Sequence, residues 1–188
     1  KGAEKLSDAG DALSNCLSLV NELLYLESLE NGETKPNFVN CDLREIMSSV
    51  LKLEHFSKAN ILNSAEGLVS ADREQIILVI QRLISDALSR TSADGKLEVT
   101  CGRHDNHLRL SVRDYGRPLT AEEANDLFDK TFQASNADNE GENPLGLSVA
   151  FAIMSLHDGL IGHQSVEDGN LLYLELPLLS GSLSTGDF

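Results

Sequence analysis

Positive charge is scarce in this sequence: 15 Lys and Arg stand against 30 Asp and Glu, a formal net charge of −15. A surface with that balance repels phosphate backbones and anionic membranes, which excludes nucleic-acid binding as a main function and leaves basic protein surfaces as suitable partners. Cysteine is sparse too, with Cys16, Cys41 and Cys101 forming an odd set without a C-x-x-C spacing. That argues against a disulfide framework or a zinc site and favours a reducing compartment. Cys16 and Cys101 fall on apolar faces, where packing in a core is the expectation. The five histidines are scattered, none paired at i, i+4, so a metalloenzyme has no support. No nucleophile elbow is present either. No stretch approaches the ~18 apolar residues of a membrane span, and the amino end lacks the layout of a signal peptide. The expectation is a cytoplasmic piece. A start at Lys1 without methionine also fits the cytoplasmic portion of a membrane-anchored parent.

What is present is a long helical stripe followed by alternating helices and strands. Between Ala3 and Glu30 there is no proline, and Leu6, Leu13, Leu17, Val20, Leu24 and Leu29 recur at spacings near three, four and seven. Ala9, Cys16, Leu23 and Leu26 widen the stripe. A helix of about 28 residues would be about 42 Å long. It is too long and one-sided to belong wholly to the following domain, and is expected to pack on partner helices until Asn31-Gly32 stops it.

Beyond Pro36, Phe38-Val39 predicts an edge strand, and Asp42-Leu43-Arg44-Glu45 has the capping-box pattern of a helix start. That helix is expected to reach about Ala59 and bury Leu43, Ile46, Val50, Leu53 and Phe56. Ile61-Leu62 and Leu68-Val69 read as short strands. Asp72 caps a helix to about Arg90 whose face carries Ile76, Val79, Ile80, Leu83, Ile84, Ala87 and Leu88. After a turn at Ala93-Asp94-Gly95, Leu97, Val99 and Cys101 alternate in one strand, and Leu108, Leu110 and Val112 in the next. Residues 119–132 read as helical or irregular, with Leu127, Phe128 and Phe132 for the core, and 133–144 as an acidic mobile loop. Leu145 to Leu156 returns to helix, Ile161 starts a strand, and Leu172, Leu174 and Leu176 alternate in the last one. Strands mixed with segregated helices predict an α+β sandwich, a mixed sheet with helices on one face.

Val112-Arg113-Asp114-Tyr115-Gly116-Arg117-Pro118 closes the second hairpin strand, placing a carboxylate and a glycine in a turn at its end. Such a carboxylate accepts from an exocyclic amine while the glycine backbone lets a flat ring approach. Upstream, a helix carries Ile84-Ser85-Asp86-Ala87; downstream, Pro144-Leu145-Gly146-Leu147 opens another. In this order the segments resemble the ATP-binding region of sensor histidine kinases, the Bergerat or GHKL fold. Leu23 to Gly32 is similar to the end of that family's second dimerisation helix.

The resemblance implies three segments: a dimerisation helix over 1–34, a GHKL-like catalytic-type domain over 35–179 and a flexible tail over 180–188. It implies ATP and Mg²⁺ as cofactors, with Asp114 and Gly116 at the adenine and Asp86 as the Mg²⁺ ligand. Arg90 and Lys130 would meet phosphate, and Leu145, Gly146 and Leu147 would form the lid. It implies a homodimer through the first helix and a response-regulator receiver domain as partner.

The sequence departs from the family pattern at the adenine turn and where phosphates are handled. The Asn-x-x-x-Asn-Ala-x-Lys positions hold Arg82, Asp86, Ala87 and Ser89; the last glycine of Asp-x-Gly-x-Gly is Pro118; Glu142 and Pro144 replace the first lid glycines. From Ala134 to Leu145 there is no Lys or Arg, while Asp138, Glu140 and Glu142 are acidic. Like charge within ~5 Å of a triphosphate costs on the order of several kcal/mol when partly desolvated. No histidine precedes His55 to match the family's phospho-acceptor. The expectation is a two-component signalling module with a degenerate ATP site, a pseudokinase or phosphotransfer scaffold that dimerises and docks a response regulator. The alternative is an active ATP-dependent histidine autokinase with atypical nucleotide residues.

Overall fold

The computed structural model describes residues 2–53, 59–64, 67–91, 96–128 and 146–179. Its elements are α1 (Gly2–Glu30), β1 (Val39–Asp42), α2 (Leu43–Leu51), β2 (Ala59–Ser64), β3 (Leu68–Ala71) and α3 (Arg73–Arg90). There follow β4 (Leu97–His104), β5 (His107–Asp114), α4 (Ala121–Asp126), α5 (Gly146–Leu156), β6 (Leu160–Val166) and β7 (Gly169–Pro177). The main sheet has five strands in the order β2-β4-β5-β7-β6, and β1 pairs with β3 in a small antiparallel sheet. Only the β2–β4 ladder of the main sheet is parallel. The fold is thus an α+β sandwich, a mixed sheet with helices on one face.

The alternation explains the layering. Leu97, Val99 and Cys101 of β4, Leu108, Leu110 and Val112 of β5, and Leu172, Leu174 and Leu176 of β7 are all fully buried. They meet Ile76, Val79, Ile80, Leu83, Ile84 and Ala87 of α3 and Val149, Ala150 and Ile153 of α5. Side chains at period two on strands and near 3.6 on helices supply the two facing surfaces. Burial pushes the Cys101 thiol up to about 11, as expected for a packed, inert cysteine.

Asp72 starts α3 by accepting from the Glu74 and Gln75 backbone N–H groups. His157, at the end of α5, accepts the Asp72 N–H on Nε2 at 3.0 Å and donates from Nδ1 to the Ile153 carbonyl at 2.8 Å. Since an N–H can only donate and a carbonyl only accept, the ring is neutral with its proton on Nδ1. Burial holds its pKa below the ordinary imidazole value.

Three expectations are corrected. The helix after Asp42 ends at Leu51, and Ala59 already pairs with Leu97 in the parallel ladder; strand pairing with β4 overrides helical periodicity there. Leu53 is consequently exposed, while Met47 is buried; Phe56 lies outside the described residues. Cys16 is exposed, and among the described side chains of α1 the buried ones lie in its last turns. Leu26 and Leu29 are buried there, whereas Leu13, Leu17, Val20, Leu23 and Leu24 remain 44–63% exposed. The ion pair from Arg82 to Glu22 at 2.8 Å, and Gln75 donating to the Tyr25 hydroxyl at 3.4 Å, tie this end of α1 to α3. Among the described residues, no helix is long and apolar enough to cross a membrane.

Candidate functional site

The site forms where the C-terminal turn of α3 meets the ends of β5 and β7. The pairing of β5 with β7 sets Asp114 directly opposite Asn170. Asp114 is fully buried. Its Oδ1 accepts from the Gly116 backbone N–H at 2.9 Å and from Asn170 Nδ2 at 3.0 Å. Its Oδ2 accepts from Arg90, with both Nε and one terminal nitrogen at 3.4 Å. The other terminal nitrogen of Arg90 pairs with Asp86, one helical turn earlier on α3. Asp86, Arg90, Asp114 and Asn170 are therefore one continuous polar network beneath the turn.

Two glycines make the close approach possible. A Cβ on Gly116 would run into the Arg90 carbonyl oxygen, so the turn lies directly on the end of α3. Gly169 has φ +138°, and a Cβ there would strike the Asp114 carbonyl oxygen. That backbone region is open to glycine and strained for other residues.

Asn170 went unnoticed in the sequence and is central in the structure. Besides Asp114 it donates to the Arg117 carbonyl at 3.0 Å, and its Oδ1 accepts from the Leu119 N–H at 2.8 Å. His163 Nε2 lies 3.2 Å from the same oxygen and donates to it. Acceptors on one side and donors on the other fix the amide orientation. The only sequence signal was the Asp168-Gly169-Asn170 turn, which means nothing for Asp114 until the strand order is known. Pro118 sits between the two bonds that Asn170 makes to the chain at Arg117 and Leu119, so its missing N–H leaves no bond unmade there. Thr120 then opens α4 with a capping box to Glu123, and a fork from Arg117 to Glu123 holds that carboxyl down at about 2.

Of the expected site residues, the structure brings Asp86, Arg90, Asp114 and Gly116 together. Gly146 opens α5, and Leu147 is buried in the core behind it. Lys130 and Leu145 lie outside the described residues, as do the acidic loop and the tail. Phe128 is partly buried against the core and meets Phe151 with ring centroids 6.3 Å apart. Among the described residues no group of three or more His, Cys, Asp or Glu could hold a metal ion.

An adenine amine needs a free lone pair on Asp114, and Mg²⁺ needs carboxylate oxygen from Asp86. In this arrangement Arg90 takes both. Arg90 itself points into the network. Among the described residues, one oxygen of each of these carboxylates is thus turned to the chain's own arginine and is not open to a magnesium nucleotide.

The family model described as histidine kinase-, DNA gyrase B-, and HSP90-like ATPase matches residues 71–180. That match covers more than half of the 188 residues, and the chain belongs to this family. Its relatives include the sensor histidine kinase RppB of Synechocystis sp., 25% identical over 172 residues, 86% of this chain and 38% of that protein. The heme sensor protein HssS of Staphylococcus saprophyticus is 27% identical over 152 residues, 76% of this chain and 32% of that protein. This chain therefore spans about a third of the length of these relatives. Full-length histidine kinase ShkA, solved with AMPPNP, shares the fold at a TM-score of 0.75 and 21% identity, covering 96% of this chain and 39% of that one. Histidine kinase ThkA, solved with the response regulator protein TrrA, shares it at 0.72 and 24% identity, covering 90% and 49%. The chain carries a histidine-kinase-like ATPase-type domain of the two-component sensor kinases.

Proposed function

We propose that this chain is a signalling module of a two-component sensor whose nucleotide site is degenerate, working as a pseudokinase or phosphotransfer scaffold. The observation that carries the reading is Asp114: both carboxylate oxygens are engaged by the chain's own donors, Arg90 on one and Gly116 with Asn170 on the other. Ser89, Glu142 and Pro144, at positions where the family handles phosphate, and Pro118 in the adenine turn point the same way. The module consists of a dimerisation helix over 1–34, a GHKL-type domain over 35–179 and a tail over 180–188, on the cytoplasmic side of its parent protein.

Homodimerisation runs through α1, where Leu13, Leu17, Val20, Leu23 and Leu24 leave an apolar stripe exposed. The partner in signalling is a response-regulator receiver domain; the structure of ThkA with TrrA supports that class of partner.

Thermal unfolding with and without millimolar Mg-ATP tests the degenerate site. A ligand at ~100 times its Kd stabilises by roughly 2.7 kcal/mol, which for a chain of this size raises Tm by about 5–10 °C. We expect no such shift. A shift of that size, abolished by Asp114→Asn, would instead identify a working nucleotide site and an active autokinase.

A further inference from the structure

We infer that Arg90 is an internal occupant of the base-recognition site: its guanidinium holds the place on Asp114 that a ligand's exocyclic amine would take, and is what closes the site to nucleotide. The inference rests on the family reading of Asp114 and deepens it by naming the residue responsible.

The geometry is specific to this side chain. Two nitrogens of the guanidinium face Asp114 Oδ2, each at 3.4 Å. An adenine presents its amine to a carboxylate with the same donor chemistry. The third nitrogen pairs with Asp86, so one side chain engages the base-side and the metal-side carboxylates together. Arg90 is 15% exposed at its side chain and Asp114 is not exposed at all, so the pair lies largely out of water. A ligand entering here must break the Arg90–Asp114 pair and leave the guanidinium with Asp86 alone, which is more costly than displacing solvent. Oδ1 offers no alternative acceptor, since Gly116 and Asn170 already donate to it. A lysine could not span both carboxylates in this way, because its ammonium lacks the planar fork.

The opposite role, a cation that contacts phosphate, predicts an effect of opposite sign, which makes the test sharp. Mg-ATP is titrated by calorimetry into the full chain as wild type, Arg90→Ala and Arg90→Ala/Asp114→Asn. The expected result is binding at least about tenfold tighter in Arg90→Ala than in wild type, a gain of about 1.4 kcal/mol or more, lost again in the double variant. Weaker binding in Arg90→Ala overturns the inference and makes Arg90 a ligand contact. Equal affinities overturn it as well. If both are tight, the degenerate-site reading falls with it; if both are weak, that reading stands and the closure lies elsewhere. Should Arg90→Ala fail to unfold cooperatively, Arg90→Gln is read by the same criteria, because its neutral amide keeps one donor without the fork.

Discussion

Asn170 offers the most direct check on the site's construction. Asn170→Ala removes its donations to Asp114 and to the Arg117 carbonyl, at 3.0 Å each, and its acceptance from Leu119 at 2.8 Å. The bond to the Asp114 carboxylate is charge-assisted and buried, worth roughly 1.5–3 kcal/mol, whereas the bonds at the more open end are worth roughly 0.5–1.5 kcal/mol each. Water replaces part of the latter, so the expected loss is about 3 kcal/mol. Urea unfolding followed by circular dichroism measures it; with m near 1–3 kcal/mol/M, the midpoint should fall by roughly 1–3 M. Gln164→Ala, an exposed position on the same hairpin, is the control and should stay within about 0.5 kcal/mol of wild type. Asn170→Asp should be at least as damaging as alanine, since it sets a second carboxylate against Asp114 without restoring the donor. A loss below about 1 kcal/mol in Asn170→Ala would show that the network does not hold the turn, and would also weaken the case that Asp114 is saturated.

His157 predicts a pH dependence of stability. Its folded pKa lies below the ordinary value because of burial, so the unfolded chain takes up a proton first as pH falls. Stability present above the unfolded imidazole pKa of about 6.5 should therefore decline as pH drops through that value toward the folded one. His157→Gln, compared with wild type by denaturation across pH 5–7.5, should flatten that part of the profile; an unchanged slope would refute the assignment. Arg82→Ala should loosen α1, because it leaves the Glu22 carboxylate without its guanidinium at a position only 10% exposed. A fully buried broken pair costs about 3–5 kcal/mol; with Arg82 still 23% exposed, about 2 kcal/mol is the expected loss. Hydrogen exchange should accelerate in the last turns of α1 while the β5–β7 ladder keeps its protection. Uniform acceleration would mean that the pair supports the whole fold and not this junction.

The fold was legible where one periodicity governed a whole element. The α3 face from Ile76 to Ala87 and the alternating triplets of β4, β5 and β7 are buried as their spacing predicts. Asp72 is the N-cap expected of it. The reading failed where a long-range ladder decided the outcome: Ala59 continues a plausible helical pattern, yet it lies beside Leu97 in a strand. The α1 stripe was recognised, but its periodicity is the same whether a residue faces its own chain or another. Only the structure separates Leu26 and Leu29, which are buried, from Leu17 and Leu24, which are not. Thr120 and Glu123 carry the capping-box signature from which α4 follows.

The site was half legible for a related reason. Asp86 and Arg90 are one turn apart on a helix, and their pairing could be read from the spacing. Asp114 joins them only because β5 runs under α3, and Asn170 only because β7 is the neighbour of β5. Taken along the chain, Asp86 looks like a departure from a nucleotide-binding pattern and Arg90 like a separate contact for phosphate. Together they compensate each other. A second carboxylate beside Asp114 would raise the local negative charge, and a guanidinium facing neither carboxylate would be stranded in a largely buried turn. Joined, they satisfy each other's charge within the corner. Satisfaction of buried charges is a strong constraint on any such corner, so an acidic residue at position 86 and a base-side aspartate are tolerated together when the arginine bridges them. The proposed role of Arg90 predicts that a variant chain gaining nucleotide affinity must lose Arg90 while keeping Asp114, and that losing Asp86 alone, which leaves the guanidinium on Asp114, brings no such gain.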